Sequence, residues 1–254
     1  MSKVSERAHL VTGIIAMVDH LKERDWSVYI ISTSYQQHAY NIAAQLGIGE
    51  TDVRCTKFPL DSYLAEFEEE DCKPILRAER DILSLHPPTD ERTIKKRLDD
   101  FFFRELPKAR IGKTLLDMKV CGGARKVSAM NELAERDGFS VSDSVAVGDS
   151  ITDMKMLQFV RERGGLAVTF NGNEYALPYG SVGLATQDMR NLSLITDAWE
   201  EGGKESVLNA VRERETPDGD PYYHVLEGRK DLDNILKIHK RMRKLVRGAA
   251  GKLG

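Results

Sequence analysis

The chain has 254 residues, enough for one large domain or for a core with a smaller one. Charge is dense but nearly balanced, with a net of −3, and nothing global points to nucleic acid or to a membrane surface. Cys55, Cys72 and Cys121 lie far apart and form no CxxC pair, so no disulfide framework or zinc site is indicated and a reducing cytoplasm is the default.

Residues 5–24 carry Leu10, Ile14, Met17, Val18 and Leu21 on one helical face. The run Leu10–Val18 is too short to span a bilayer, is followed by Asp19 and His20, and is not a signal peptide. Val28-Tyr29-Ile30-Ile31 reads as a buried strand ending in Ser32-Thr33-Ser34. A helix follows from about 36 to 46, stopped by Gly47 and carrying His38 on its surface. Ser32 then sits at a sheet's carboxyl edge, where its hydroxyl either binds a phosphate oxygen or caps a helix. A third strand is expected over Val53–Phe58.

From 61 to 116 the charge becomes dense. Two or three helices are expected around a turn at His86-Pro87-Pro88, with Phe101-Phe102-Phe103 packing the segment down and Glu68–Asp71 as a solvated face. The segment reads as an insertion, a lid or cap. Cys121-Gly122-Gly123-Ala124-Arg125-Lys126 opens the next helix, running to about 136. Two glycines before Lys126 permit close backbone approach to an anion, although the GxxxxGK[ST] spacing is absent and a solvated first-turn lysine is the plainer reading.

Ser144-Val-Ala-Val-Gly-Asp-Ser-Ile-Thr-Asp153 reads as a buried strand that turns at Gly148 and presents Asp149 and Asp153 with Ser150 and Thr152 between them. Two carboxylates converging with hydroxyls at a strand's carboxyl end suit Mg²⁺; a capped helix start is the alternative. A helix over 151–163, a strand over Leu166–Phe170, a turn at Asn171-Gly172-Asn173-Glu174 and a strand over Val182–Ala185 complete a doubly wound parallel sheet. Residues 196–254 read as mostly helical. Between Arg229 and Lys252, nine Lys and Arg stand against two Asp, beside an apolar stripe of Leu232, Ile235, Leu236, Ile238, Met242 and Leu245. That is a basic docking helix, or one that meets an anionic partner.

The order of these pieces resembles the haloacid dehalogenase (HAD) superfamily of phosphohydrolases over about 28–48 and 119–190. Ile30-Ile31-Ser32-Thr33 looks like its second motif and Lys126 its third. Gly148-Asp149-Ser150-Ile151-Thr152-Asp153 looks like the fourth in its GDxxxD form, and Phe170-Asn171-Gly172-Asn173 resembles the turn after the next strand. The resemblance implies a Rossmannoid doubly wound α/β core at 1–58 and 119–195, a C2-type helical cap at 59–118 and a helical extension at 196–254. It implies Mg²⁺ held by Asp149 and Asp153, a catalytic Lys126 that clamps phosphoryl charge, and a small phosphorylated metabolite bound by Ser32, Thr33, Lys126 and Asn171.

One family part has no counterpart. The first motif, a central strand ending in DxD whose first Asp is the nucleophile and second the general acid and base, precedes the others in the family. Here Asp19 and Asp25 follow helical sequence, Asp197 lacks a second Asp two residues on, and Asp218-Gly219-Asp220 follows polar residues and Pro217 and reads as a turn. Loss of that strand leaves backbone unpaired on both neighbours, at about 1–3 kcal/mol per buried group. Three accounts follow: an N-terminal truncation that leaves the chain inactive, a non-catalytic HAD-like binding protein, or a strand supplied by another chain. Tyr29–Tyr35 and Gly164–Tyr175 are also similar to archaeal HAD-like proteins, some labelled as subunits of an energy-converting hydrogenase. That likeness implies a membrane hydrogenase complex as a partner, without insertion of this chain into the bilayer. A further protein partner, one that fills the missing strand or docks on the C-terminal helix, is also open.

Overall fold

The computed structural model describes residues 10–85, 91–116, 118–217 and 219–248. Two compact units make up the chain, one from residues 1–55 with 121–254 and one from Thr56–Val120.

In the first unit, helix α1 (Ile14–Glu23) begins after Gly13, whose left-handed φ of 77° breaks the helical spacing expected from residue 5 onward. Strand β1 (Ile30–Tyr35), helix α2 (Gln36–Gln45) and strand β2 (Val53–Thr56) follow. Among the described residues, β1 pairs only with β2. The strand starts two residues later than the sequence indicates, so Ser32, Thr33 and Ser34 are strand residues.

The second unit holds helices α3 (Leu60–Glu66), α4 (Glu69–Ser84), α5 (Glu91–Asp100) and α6 (Arg110–Leu116), more than the two or three expected. Ala78, Phe101, Leu106 and Ile111 form its small core. Arg97 ties Asp81 to Glu105 across it. Only Phe101 of the three phenylalanines is buried; Phe102 and Phe103 are exposed. The turn at 86–90 lies outside the described residues.

Back in the first unit come α7 (Ala124–Asp137), β3 (Val145–Gly148), α8 (Met154–Glu162), β4 (Leu166–Phe170), β5 (Val182–Ala185), α9 (Ser193–Glu213), β6 (Tyr222–Val225) and α10 (Asp233–Arg247). β3, β4 and β5 are parallel neighbours, and β6 closes the sheet antiparallel to β5. The alternation of a strand decides the layers. Leu166, Val168 and Phe170 face a core shared with α1 and α9, while Ala167 faces Met130 of α7 and Leu157 and Val160 of α8. The doubly wound α/β expectation holds, with two corrections. The region after 196 is mostly helical, as the sequence indicates, but it also holds the strand Tyr222–Val225, which pairs with β5. And β3 is not fully buried.

That second correction locates a gap. β4, with a strand on each side, is buried at every position; β3 is buried at two of four and β1 at none. The β1–β2 pair and the four-stranded sheet do not hydrogen-bond to each other. Between them lies an apolar cavity of about 730 Å³, lined on one wall by the stretch Trp26–Ile31 and on the other by Asp143–Val147, with Met17, Val18 and Leu21 of α1 across it. Six residues on one wall and five on the other match the length of a short strand, about 17 Å.

Candidate active site at the carboxyl end of the sheet

Lys126 stands in the first turn of α7, 5% exposed. Its ammonium donates to the Ile31 carbonyl of β1 at 2.8 Å and to Asp153 Oδ1 at 2.7 Å. One side chain therefore joins the two walls of the gap. The glycines before it do permit a close approach, but to protein: Gly123 N–H donates to the Thr152 carbonyl at 2.9 Å, stitching the start of α7 to the turn after β3.

Asp153 folds back beneath that turn. Its Oδ2 accepts from the N–H groups of Asp149 and Ser150, each at 3.1 Å, and from the Ser150 hydroxyl at 2.9 Å. Gly148 leaves the room: a Cβ there would lie 2.6 Å from that of Asp153. Burial works to raise the Asp153 pKa. The Lys126 ammonium outweighs it, by charge and by hydrogen bond, and with the turn's donors holds the carboxyl below the usual carboxylate range.

Asp149 projects from the same turn and meets α10. Arg243 Nη1 and Arg247 Nη2 both pair with Asp149 Oδ2. Arg243 Nη1 also donates to the backbone carbonyls of Asp149 at 3.2 Å and Asn171 at 3.4 Å. Asn171 is a pin for the chain. Its amide donates to the Thr186 carbonyl at 2.8 Å and accepts from Thr186 N–H at 3.0 Å, holding the residue at φ 46°. In this structure the Asn171 amide is engaged with the backbone of Thr186. Ser32 Oγ accepts from Ser34 N–H at 3.1 Å; Thr33, beside it on β1, is partly buried. Lys126, Asp149 and Asp153 come together, and Ser32 follows the residue whose carbonyl Lys126 holds.

The sequence matches the family of haloacid dehalogenase-like hydrolases over residues 11–171. The chain belongs to that family. Among solved structures, this HAD-like chain is similar to gene product AF1437 from Archaeoglobus fulgidus, at 29% identity and a TM-score of 0.76, over 99% of this chain and 75% of that one. No protein of curated function matches it.

The family generally uses Mg²⁺, but the donors of this HAD-like chain, arranged as they are, do not fit that ion. Both carboxylates are already neutralised, and three cationic side chains, Lys126, Arg243 and Arg247, face two anionic ones. Among the described residues, no three His, Cys, Asp or Glu side chains are grouped to hold a metal.

The sequence reading missed α10 as a part of this site. His239, Arg243 and Arg247 are spaced i, i+4, i+8 and share a face, a signal that the apolar stripe obscured. His239 is fully buried. Its Nδ1 accepts from Gly172 N–H at 2.8 Å, and its Nε2 lies 3.1 Å from Nε2 of His224 on β6. With Nδ1 accepting, the neutral ring carries its proton on Nε2 and donates it to His224. Desolvation lowers the His239 pKa to about 3. Desolvation, helped by the His239 charge, lowers that of His224 to about 2.

Proposed function

We propose that this chain is the larger part of a cytoplasmic, Mg²⁺-dependent phosphatase acting on a small phosphorylated metabolite, and that these 254 residues alone do not turn over. The observation that carries the reading is the strand-wide gap between β1 and β3, which ends beside Lys126 and Asp153. Family membership supports hydrolase chemistry, and no stretch of the sequence reads as the nucleophile-bearing strand. In the completed protein Lys126 neutralises phosphoryl charge, and Ser32 with Thr33 orients a phosphoryl oxygen. Two of the three Lys126 donors are used within the protein, leaving one for that task. Two more carboxylates on an inserted strand would reverse the local excess of positive charge, and Asp149 would then suit a cation. The helical unit at Thr56–Val120 is assigned the choice of substrate.

The test uses p-nitrophenyl phosphate with Mg²⁺. Protein isolated from its source cells should hydrolyse it at least 100-fold faster than the 254-residue chain, and Asp149→Asn in the source gene should abolish the difference. Activity untouched by that change, or none in the native form, would end the reading.

A second reading is a non-catalytic accessory protein. The paired state of Asp149 favours it, since a carboxylate held by two arginines serves structure. The likeness to archaeal proteins labelled as hydrogenase subunits would make its partner a membrane hydrogenase complex. Recovery of a stable membrane complex with no turnover would select it.

A further inference from the structure

The gap between β1 and β3 has two free edges and two ends of opposite charge. Tyr29 stacks on Phe139 at 5.6 Å and donates to Asp137 at 2.6 Å, while Lys126 joins Ile31 to Asp153 at the other end, so β1 and β3 run the same way. Among the described residues, neither facing edge has a strand partner. Met17, Leu21 and Leu192 close the gap on one face, and Met130 and Met156 on the other. An occupant therefore meets apolar side chains on both faces, as β4 does between its two neighbours. At the amino end stand Asp25, Asp137, Asp143 and Glu200. The three cations nearby are already engaged: Arg24 by Glu200, Arg136 by Asp52 and Asp137, and Lys22 by the carbonyls of Leu46 and Gly47. Asp25 and Asp143 are exposed and, among the described residues, in no ion pair. At the carboxyl end the sign reverses, with Lys126, Arg243 and Arg247 against Asp149 and Asp153.

We propose that the gap is a docking groove for an extended segment of a partner polypeptide, apolar at five or six consecutive positions and led by lysine or arginine, which lies parallel to β1 and β3. The apolar run follows from the two covered faces. The basic lead follows from the unpaired Asp25 and Asp143. The direction follows from both ends, because a segment running the other way would bring its basic residues against Lys126. Main-chain ladders on both sides supply the affinity, and the alternating side chains supply the specificity. A small apolar molecule would fill the same volume but leave the backbone of both edges unpaired. This inference rests on the gap that carries the reading above, and it adds which kind of chain enters and which way it points.

Trp26 and Trp199, the two tryptophans of the sequence, both line the gap, so their emission reports an occupant. The probe is the peptide acetyl-Lys-Lys-Val-Ile-Ala-Val-Val-Ser-amide, titrated into the full chain. It should shift the emission saturably and bind about tenfold more tightly than the same residues in reverse order. Proline in place of the central alanine removes a ladder donor and should abolish binding. Glu-Glu in place of Lys-Lys should weaken binding about tenfold at low salt. Asp25→Asn combined with Asp143→Asn should erase that difference; asparagine tolerates the left-handed φ of 60° at residue 25. Amide exchange over 28–31 and 145–147 should slow severalfold with the peptide bound, and exchange in β5 and β6 should not change. No binding would overturn the proposal. So would equal binding of the forward, reversed and proline peptides, which would mark an apolar cavity without strand recognition, or equal binding of the Lys-Lys and Glu-Glu peptides. Turnover plays no part in these readouts. Directional binding in a protein whose native form never hydrolyses a phosphomonoester would keep the groove and remove the phosphatase; hydrolysis by the native form without peptide binding would do the reverse.

Discussion

Lys126 and Asp153 form a buried ion pair, 5% exposed at each residue, and such a pair is expensive to break from one side. Lys126→Met should cost about 3–5 kcal/mol, because it strands a carboxylate in the interior. Asp153→Asn strands the ammonium and also weakens the turn that Asp153 pins. The double variant should recover part of the loss, with a coupling of about 1–3 kcal/mol in urea unfolding. Simple additivity of the two losses would mean that the pair does not act as a unit. These residues were legible in the sequence as a pattern, strand–GDxxxD with a lysine at an earlier helix start. Their division of labour was not. Nothing local says that Asp153 is turned inward to the backbone and Asp149 outward to α10, because both partners come from distant elements.

Strands β4 and β5 were read with their observed bounds, since apolar runs between Gly-Gly and Asn-Gly turns leave little freedom. β6 was not read at all, because its pairing lies 37–43 residues from β5 and its start follows a proline. The register of that pairing has a consequence. Gly183 stands opposite His224, and a Cβ on Gly183 would lie 2.0 Å from His224 Nε2. Gly183→Ala should therefore push the imidazole off His239 and loosen α10 over the turn at Gly172. A loss of about 1–3 kcal/mol is expected for such overpacking, with a melting temperature lower by about 2–10 °C in a chain of this size. An unchanged melting temperature would mean that the ring has another place to go.

At the scale of the whole molecule, His224 and His239 tie stability to pH. Both folded-state pKa values are depressed, to about 2 and about 3, so both rings are neutral in the native protein. The unfolded chain binds a proton at each below pH of about 6.5. Their contribution to stability is thus complete above that pH and lost as the pH falls. Two protons give a slope approaching about 2.7 kcal/mol per pH unit, and about 3–4 kcal/mol should vanish between pH 7 and pH 5. Urea midpoints across that range would measure it; a flat profile would show that another group compensates. Against a total of about 5–15 kcal/mol, the effect is large for a protein that already carries an open cleft between β1 and β3. Among the described residues, no helix is long and apolar enough to cross a membrane. By itself the sequence determined the family and the order of the motifs, because those depend on residue types and spacing along the chain. Only the tertiary structure revealed the gap between two half-buried strands, β1 and β3. It alone set which cation holds which carboxylate, because long-range packing brings α10 back over the site.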